Sequence, residues 1–408
     1  MKILIVSQYF WPESFRINDL ALGLKDMGHQ VTVLTGIPNY PDGAFFPGYG
    51  LTRGLHEDYQ GIDIVRAPLI SRGRGRGFRL ALNYLSFALT ASLVGAFFCR
   101  GDYDVIFAYE PSPITVGLPA VLLRWLKGAP LIFWVQDLWP ESLSATGAVR
   151  ARFILRLVKM MVRFIYCRCD RILVQSLAFV APVQTLGARP SDTFYFPNSA
   201  EPIYRPVEPA PCLPAAARMP NGFRVMFAGN IGAAQDFETI IEAAVQLKSR
   251  TDIHWVILGD GRMYDWVKTQ VKARGLEATL HLLGRYPVET MPRLFALADA
   301  MLVTLRKEPI FALTIPAKIQ SYLACAKPIV AALDGEGSRI IRDAGAGIAV
   351  PAGQPAALAE AVLELYRMSP AQRQAMGARA RSYFELHFER DMLLRKLNGW
   401  MNELKRAD

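Results

Sequence analysis

Cysteine and histidine are both scarce, at five of each in 408 residues. Cys99, Cys167, Cys169, Cys212 and Cys325 are odd in number and lack framework spacing, which excludes a disulfide scaffold and points to reduced thiols. Cys167-x-Cys169 is too tight for a zinc pair without distant partners, so no metal site is expected. Charged residues are few, at 20% against 52% apolar, yet that apolar share excludes a disordered chain. The start, MKILIVSQ, lacks the charged, apolar and cleavage segments of a secretory signal. It reads as a strand, and a cytoplasmic location is expected. No helix-turn-helix, zinc-finger, RRM or KH pattern accompanies the basic residues, so nucleic acid is not the expected partner.

What is present in excess is positive charge, +10 overall with a pI near 9.4, which suggests an anionic partner. The basic residues are bunched. Arg72, Arg74, Arg76 and Arg79 form one cluster; Arg150, Arg152, Arg156, Lys159, Arg163, Arg168 and Arg171 form another. Within the second, Arg152, Arg156, Lys159 and Arg163 are spaced four, three and four and line one helix face. Phe153, Ile154, Leu157, Val158, Met161 and Phe164 fill much of the rest, the pattern of a helix lying on anionic lipid. Residues 81–99, ALNYLSFALTASLVGAFFC, are uncharged and about long enough to cross a bilayer. Expected strands on either side share one sheet, so a helix seated shallowly in lipid is expected instead of a span.

Apolar runs of strand length alternate with helical stretches throughout, as in parallel sheets under covering helices. Strands are expected at 2–8, 31–36, 63–68, 105–109, 130–136, 171–176 and 193–198, then at 224–229, 254–259, 280–284, 300–305, 328–333 and 347–351. Between the two sets, residues 201–222 are rich in proline and alanine and read as a linker. A final helix near 389–405 carries Leu394 and Trp400 on an apolar face. The expected fold class is α/β, with two doubly wound Rossmann-like domains facing across a cleft. The expected division is an N-terminal domain at 1–200, the linker, a C-terminal domain at 223–386, and a helix at 387–408 able to return to the first domain. Open parallel sheets bind ligands beyond the carboxyl ends of their strands, which puts the substrates in that cleft.

Residues 227–235, FAGNIGAAQ, join a strand to a helix through Gly229 and Gly232. Such a turn can present backbone N–H groups to a phosphate at a helix N-terminus, although an ordinary tight turn has the same glycines. Residues 308–328, EPIFALTIPAKIQSYLACAKP, put Glu308, a lone Lys318 and a helix capped by Pro316 immediately before an apolar strand. Asp137 sits at the carboxyl end of another strand, among Trp134, Trp139 and Pro140, which fit packing as well as sugar platforms. Phe10, Trp11, Pro12 and Glu13 follow the first strand and open a helix, where Glu13 would be a first-turn carboxylate favoured by the dipole.

These stretches, with SQYFWPES near the start, WVQDLWPES at 134–142, FPNSAE at 196–201, LGDG at 258–261 and LGRYP at 283–287, together resemble family 4 glycosyltransferases of the GT-B architecture. The likeness runs over nearly the whole chain and is closest to the O-antigen and colanic-acid subgroup with its WbuB-like L-fucosamine transferases. It implies transfer of a sugar, such as the N-acetylated 6-deoxyhexosamine L-FucNAc, from a UDP-linked nucleotide-diphospho-sugar with retention and no cofactor. The implied acceptor is a polyprenyl diphosphate-linked saccharide at the inner face of the cell membrane, in O-antigen, capsule or exopolysaccharide assembly. Implied donor contacts are Gly229, Asn230, Gly232, Gln235, Gly259, Arg285, Glu308, Pro316, Lys318, Gln320 and Ser321. Phe10, Trp11, Glu13 and Gln136 are implied at the acceptor, and Lys318, Arg285, Glu308, Asp137 and Glu13 in catalysis.

The chain departs from the common family pattern in three places. Asn230 and Gln235 stand where most members have an arginine and a lysine on the diphosphate, a change the subgroup shares. Lys318 and Arg285 are then the charges expected there. The second of two family glutamates falls on Ser321, beside Gln320. The histidine that often precedes the aspartate is Gln136, where a 6-deoxy sugar would have no hydroxyl to meet. No Asp-x-Asp follows a strand, since Asp102-x-Asp104 precedes one, so a metal-independent reaction is expected. Two other readings are a non-hydrolysing UDP-sugar 2-epimerase and an inactive membrane-docked scaffold. The first needs acid–base groups in the cleft, and His29, His56, His254, His281 and His387 fall mostly elsewhere; the second follows from the missing glutamate.

Overall fold

The computed structural model describes residues 1–73, 77–145, 151–209 and 218–407. Arg74, Arg76, Arg150, Cys212 and the middle of the proline- and alanine-rich linker lie outside the described residues. By backbone contact the chain divides into two units, Met1–Pro197 with Asp391–Asp408, and Asn198–Arg390.

The first unit holds strands β1 (Lys2–Val6), β2 (Gln30–Gly36), β3 (His56–Tyr59), β4 (Ile62–Ala67), β5 (Val105–Glu110), β6 (Leu131–Val135), β7 (Arg171–Val174) and β8 (Thr193–Tyr195). Their order in the sheet is β3-β4-β2-β1-β5-β6-β7-β8, parallel except where β3 runs against β4. The inner strands, KILIV and LIFWV among them, are apolar without alternation because helices cover both faces. Edge strand β3, HEDY, has no apolar face and is not evident from the sequence. It is tied to the sheet by Glu57, whose carboxylate pairs with the fully buried Arg66 of β4.

Helices α1 (Arg16–Asp26), α2 (Gly77–Phe98), α3 (Gly117–Lys127), α4 (Glu141–Ala145) and α5 (Arg152–Tyr166) belong to this unit. Glycine allows α2, α3 and α5 to pack side by side. A Cβ at Gly95 would fall 2.8 Å from Leu123 on α3, and one at Gly117 would fall 2.7 Å from Ile165 on α5. By length and composition α2 is apolar enough to cross a membrane. It nevertheless lies on the sheet through Asn83, Phe87, Ala91 and Gly95, and the strands before and after it, β4 and β5, share that sheet.

The second unit holds β9 (Phe223–Ala228), β10 (Ile253–Leu258), β11 (Leu280–Gly284), β12 (Ala300–Thr304), β13 (Ile329–Ala332) and β14 (Gly347–Val350), all parallel in the order β11-β10-β9-β12-β13-β14. Strand order reverses between β1 and β5 in one sheet and between β9 and β12 in the other. Crevices form at such switch points beyond the carboxyl ends of the strands.

The last helix, Arg390–Ala407, packs on the first unit. Leu393, Leu394, Leu397, Trp400 and Met401 join a core with Trp134 and Phe196, and the Trp400 ring lies 5.1 Å from Phe194. Polar ties flank that face: Asn398 Oδ1 is 3.0 Å from His29 Nε2, Arg171 reaches Glu403 at 3.0 Å, and Lys405 reaches Asp104 at 2.9 Å. Trp400→Ala should therefore destabilise the first unit by about 3 kcal/mol, the scale of a buried large-to-small aromatic change. Denaturant unfolding followed by circular dichroism measures it; a loss below about 1 kcal/mol would mean the helix is not part of that core.

Candidate active site

In the second unit the residues at the switch point come from three segments. The turn after β9 carries Gly229, Asn230 and Gly232; the turn after β10 carries Gly259 and Gly261; the helix Ala317–Ala324, N-capped by Pro316, carries Lys318. All three of Gly229, Gly259 and Gly261 have positive φ, at 138°, 135° and 157°. A Cβ at Gly259 would fall 1.9 Å from the Gly229 carbonyl oxygen, and one at Gly229 would fall 2.7 Å from Lys318 Cε. The two turns and the lysine are thus in contact only because side chains are missing.

Lys318 is half-buried, with Nζ 4.5 Å from the Phe227 ring centroid and donating to Gln235 Oε1 at 2.5 Å. Among the described residues no carboxylate pairs with it. Loss of water around the ammonium pulls its pKa down to about 7. Gln235 is fixed in turn, because its carbonyl accepts the Thr304 hydroxyl at 2.5 Å from the end of β12. This is a cation held in place without its own counter-ion, which suits an incoming phosphate.

In the first unit the carboxyl edge of the sheet gathers buried polar groups. Glu13 is enclosed, and its Oε1 accepts the backbone N–H groups of Asn39 at 2.8 Å and Tyr40 at 2.7 Å. Its other oxygen is buried without a partner, and burial pushes the carboxyl up to about 7. Glu110, at the end of β5, is wholly buried, with Oε2 at 3.4 Å from the backbone nitrogens of both Gln136 and Asp137. Burial, and then the charge of Asp137, raise Glu110 well above the carboxylate range, while burial lifts Asp137 to about 6. Tyr9 stacks on Phe15 at 4.8 Å and meets Tyr40 at 5.9 Å. Arg72 lies over the Tyr40 ring at 4.8 Å.

Several expectations change. The turn after β9 leads first into a single 3-10 turn, Ala233–Gln235 with Gly232 at its start, and then into the α-helix Phe237–Gln246, whose N-cap is buried Asp236 in the left-handed region. The Gly229 and Ile231 N–H groups already donate to the carbonyls of Leu258 and Asp260. The acid at that helix end opposes the positive end of the dipole there. Arg285 is exposed just beyond the edge strand β11, next to Gly284, whose carbonyl accepts the Gly259 N–H at 2.8 Å. Glu308 is exposed as the N-cap of the short helix Pro309–Leu313, while neighbouring Arg306 pairs with Glu238. Ser321 donates to the Ala317 carbonyl at 3.3 Å and Gln320 is fully enclosed, so neither presents a free group to solvent.

Phe10 is wholly buried, edge-on to Tyr59, and cannot touch an acceptor. Trp11 remains half-exposed, stacked on Tyr59 at 4.7 Å. Glu13 precedes α1 by three residues, so it is no first-turn carboxylate. Trp134 is a core residue whose indole N–H donates to the Phe196 carbonyl at 3.0 Å. Arg171 is spent on Glu403 and does not join the α5 cluster. His254 and His281 lie at the amino ends of β10 and β11, contacting each other at 3.1 Å. Glu110 and the inward turn of Arg72 were not foreseen; the Glu-Pro pair that closes an apolar strand is the signal that would have found the first.

A glycosyl transferase 4-like domain model matches residues 14–199, and a glycosyl transferases group 1 model matches 222–368. The chain is 31% identical to WbjE of Pseudomonas aeruginosa, described as a probable glycosyltransferase, over 348 residues covering 82% of this chain and 81% of that one. It is 25% identical to WcaI of Escherichia coli K12, described as a candidate colanic acid biosynthesis glycosyl transferase, covering 79% and 81%. Among solved structures, Anabaena HepE in complex with UDP-glucose superposes with a TM-score of 0.69 at 17% identity over 100% of both chains. WaaG, a glycosyltransferase involved in lipopolysaccharide biosynthesis, superposes with a TM-score of 0.68 at 13% identity over 97% and 98%. These likenesses give the fold of GT-B glycosyltransferases.

Glu13 makes stability depend on pH with a definite sign. Its folded pKa, about 7, lies above the ordinary 4.5, so burial is unopposed below 4.5 and its cost grows as pH rises through 7. Fully developed, that cost is at most about 3 kcal/mol. Glu13→Gln keeps the oxygen that accepts both N–H groups and removes the charge. Relative to wild type, the variant should gain stability between pH 5 and pH 8; a difference that stays constant across that range would show that Glu13 titrates normally.

Proposed function

The chain belongs to glycosyltransferase family 4, and on that premise we propose that it moves a sugar, with retention, from a UDP-linked nucleotide-diphospho-sugar to a lipid-linked saccharide acceptor. It is a transferase of the GT-B fold acting in polysaccharide or lipopolysaccharide biosynthesis. The observation that carries the proposal is Lys318, a lone ammonium against glycine-only turns at the switch point of the second unit. A β-phosphate placed there would restore the lysine's charge and be stabilised by it as the bond to the sugar breaks. HepE, solved with UDP-glucose, supports the choice of donor. In the proposed step the acceptor oxygen bonds to the anomeric carbon on the face the diphosphate leaves. Its proton passes to the departing phosphate, and UDP is released. The donor sugar we propose is an N-acetylated 6-deoxyhexosamine such as L-FucNAc, on the strength of Gln136, and the step runs without a divalent metal or cofactor.

The acceptor reading draws on the outer surface of α2, α3 and α5. Phe97 of α2 is 69% exposed, Trp125 of α3 is 78% exposed and Phe153 of α5 is 71% exposed. Leu85, Leu89 and Leu93 continue the row on α2, and Leu157 and Met160 continue it on α5. Arg152, Arg156, Lys159 and Arg163 stand exposed beside them. So large an apolar face rimmed with cations is unusual for a soluble surface and suits an anionic bilayer. We place the enzyme peripherally on the inner face of the cell membrane, with no span. Each cation near such a surface contributes about 1 kcal/mol.

Incubation with a panel of UDP-sugars and a short-chain lipid-diphosphate saccharide, read by mass spectrometry in EDTA, tests the function. Lys318→Ala should lower turnover by about 100-fold. At pH 8 the free lysine is mostly neutral, so UDP binding to the wild type should take up close to one proton and weaken as pH rises. Calorimetry in buffers of different ionisation enthalpy measures this; undiminished uptake in Lys318→Ala would assign the proton to another group.

Changing Arg152, Arg156, Lys159 and Arg163 together to glutamine should release the protein from phosphatidylglycerol vesicles and leave its reaction with a soluble acceptor intact. Wild-type binding should fall with salt, since screening shortens the reach of exposed charge to about 8 Å near physiological ionic strength. Attachment that survives high salt and alkaline carbonate would mean that α2 spans the bilayer.

A further inference from the structure

Arg72 belongs by sequence to an arginine cluster of the kind that meets a membrane surface, but its side chain turns inward. Three other buried or half-buried arginines of the first unit are neutralised: Arg66 by Glu57, Arg124 by Asp170 and Arg171 by Glu403. Among the described residues Arg72 has no ion pair. It is half-buried, its Nε is buried with no hydrogen-bond partner, and its side-chain hydrogen bond is a long 3.5 Å approach to Tyr9 Oη. A guanidinium has five N–H donors, and leaving them unmet under partial burial is costly.

The surroundings hold the group in place without neutralising it. Its backbone N–H donates to Asn39 Oδ1 at 3.1 Å, and its guanidinium carbon lies 4.8 Å from the Tyr40 ring centroid. Glu13, the nearby acid, does not pair with it: one oxygen is taken by two backbone N–H groups, and the arginine that lowers its pKa is Arg66. Tyr40 and Phe15 complete an aromatic wall at the mouth. A pre-set, unpaired fork beside aromatic faces is built for a phosphate carried by a sugar or lipid.

We propose that Arg72, framed by Tyr9, Phe15 and Tyr40, is an anion site that binds the diphosphate of the acceptor. The inference rests on the acceptor reading above and names the side chain that recognises its charged group. The same chemistry could come from a phospholipid headgroup. Arg72 shares the carboxyl edge of the sheet with Glu13, Glu110 and Asp137, however, and not the outer face of α5, which favours the acceptor.

Citronellyl diphosphate, titrated calorimetrically into protein saturated with UDP, tests the site without turnover. Wild type should bind one equivalent. Arg72→Ala should weaken binding by at least about 10-fold, the loss of a charge-assisted pair, and Arg72→Lys by less, since it keeps charge without the fork. Both variants should match wild type in melting midpoint, UDP binding and attachment to phosphatidylglycerol vesicles, and Arg79→Ala should match it in diphosphate binding. Equal affinity in wild type and Arg72→Lys and Arg72→Ala overturns the proposal. So does weakened vesicle attachment with diphosphate binding intact, which would make Arg72 a headgroup contact. Absence of wild-type binding overturns it as well. Failure of the transferase reading appears separately, as no transfer from any UDP-sugar to any acceptor.

Discussion

The second unit depends on three positions where no side chain can be. A Cβ at Gly259 would overlap the Gly229 carbonyl, one at Gly261 would fall 2.5 Å from Asn230 Oδ1 and the Ile231 carbonyl, and one at Gly229 would strike Lys318. Each position also has a positive φ, which costs an L side chain even in open space. Because the turns after β9 and β10 touch, the Gly229 N–H is consumed by Leu258 and the Ile231 N–H by Asp260. Those two N–H groups close the turns. Among the described residues, the ammonium in contact with Gly229 is that of Lys318.

Both units share one physical arrangement, keeping charge where it is poorly solvated and unpaired. Burial lowers Lys318 to about 7, raises Glu13 to about 7 and Asp137 to about 6, and raises Glu110 well above the carboxylate range, so all four depart from their ordinary titration. Surface pairs such as Arg306 with Glu238 show the contrary arrangement, with both charges met and both solvated. A group poised between states is costly to fold around and responsive to a ligand. Perturbed groups of this kind concentrate at functional edges, and here they lie beyond the carboxyl ends of the strands in each sheet.

The sheets were legible because parallel strands covered on both faces must be apolar throughout, so runs such as VIFAY and IHWVIL mark themselves. β3 escaped because an antiparallel edge strand of HEDY has no apolar face, and what holds it is an ion pair to Arg66 nine residues away. At the site, residue types were easier to read than directions. Lys318 beside Pro316 could be picked out locally, since helix start and lysine are adjacent in sequence. Arg72 could not, because its inward turn is decided by Asn39, 33 residues earlier, and by the ring of Tyr40. Phe10 and Trp11 are neighbours of one type, and only packing against Tyr59 makes one core and leaves the other half-exposed.

Helix α2 joins the surface argument to the site argument. Its inner side carries Asn83, which accepts from Gln8 Nε2 at 2.8 Å and donates to the Ile70 carbonyl at 2.6 Å. Tyr84, next on the same helix, feels the charges of Arg72 and Asp137, though burial dominates its raised pKa. Its outer side is the row of Leu85, Leu89, Leu93 and Phe97. A helix that contacted only the core would have no reason to leave four large apolar side chains in water, and one that crossed a bilayer would not bury Asn83 against the sheet. The proposed acceptor, with a lipid tail and a charged head, would match both sides at once: the tail would share a bilayer with the outer row, while the head would meet the polar edge that Asn83 helps to build. On that reading α2 is neither a failed span nor an ordinary core helix. Its inner side sets Asn83 beside Phe87, Ala91 and Gly95 against the sheet, while its outer side is apolar toward solvent.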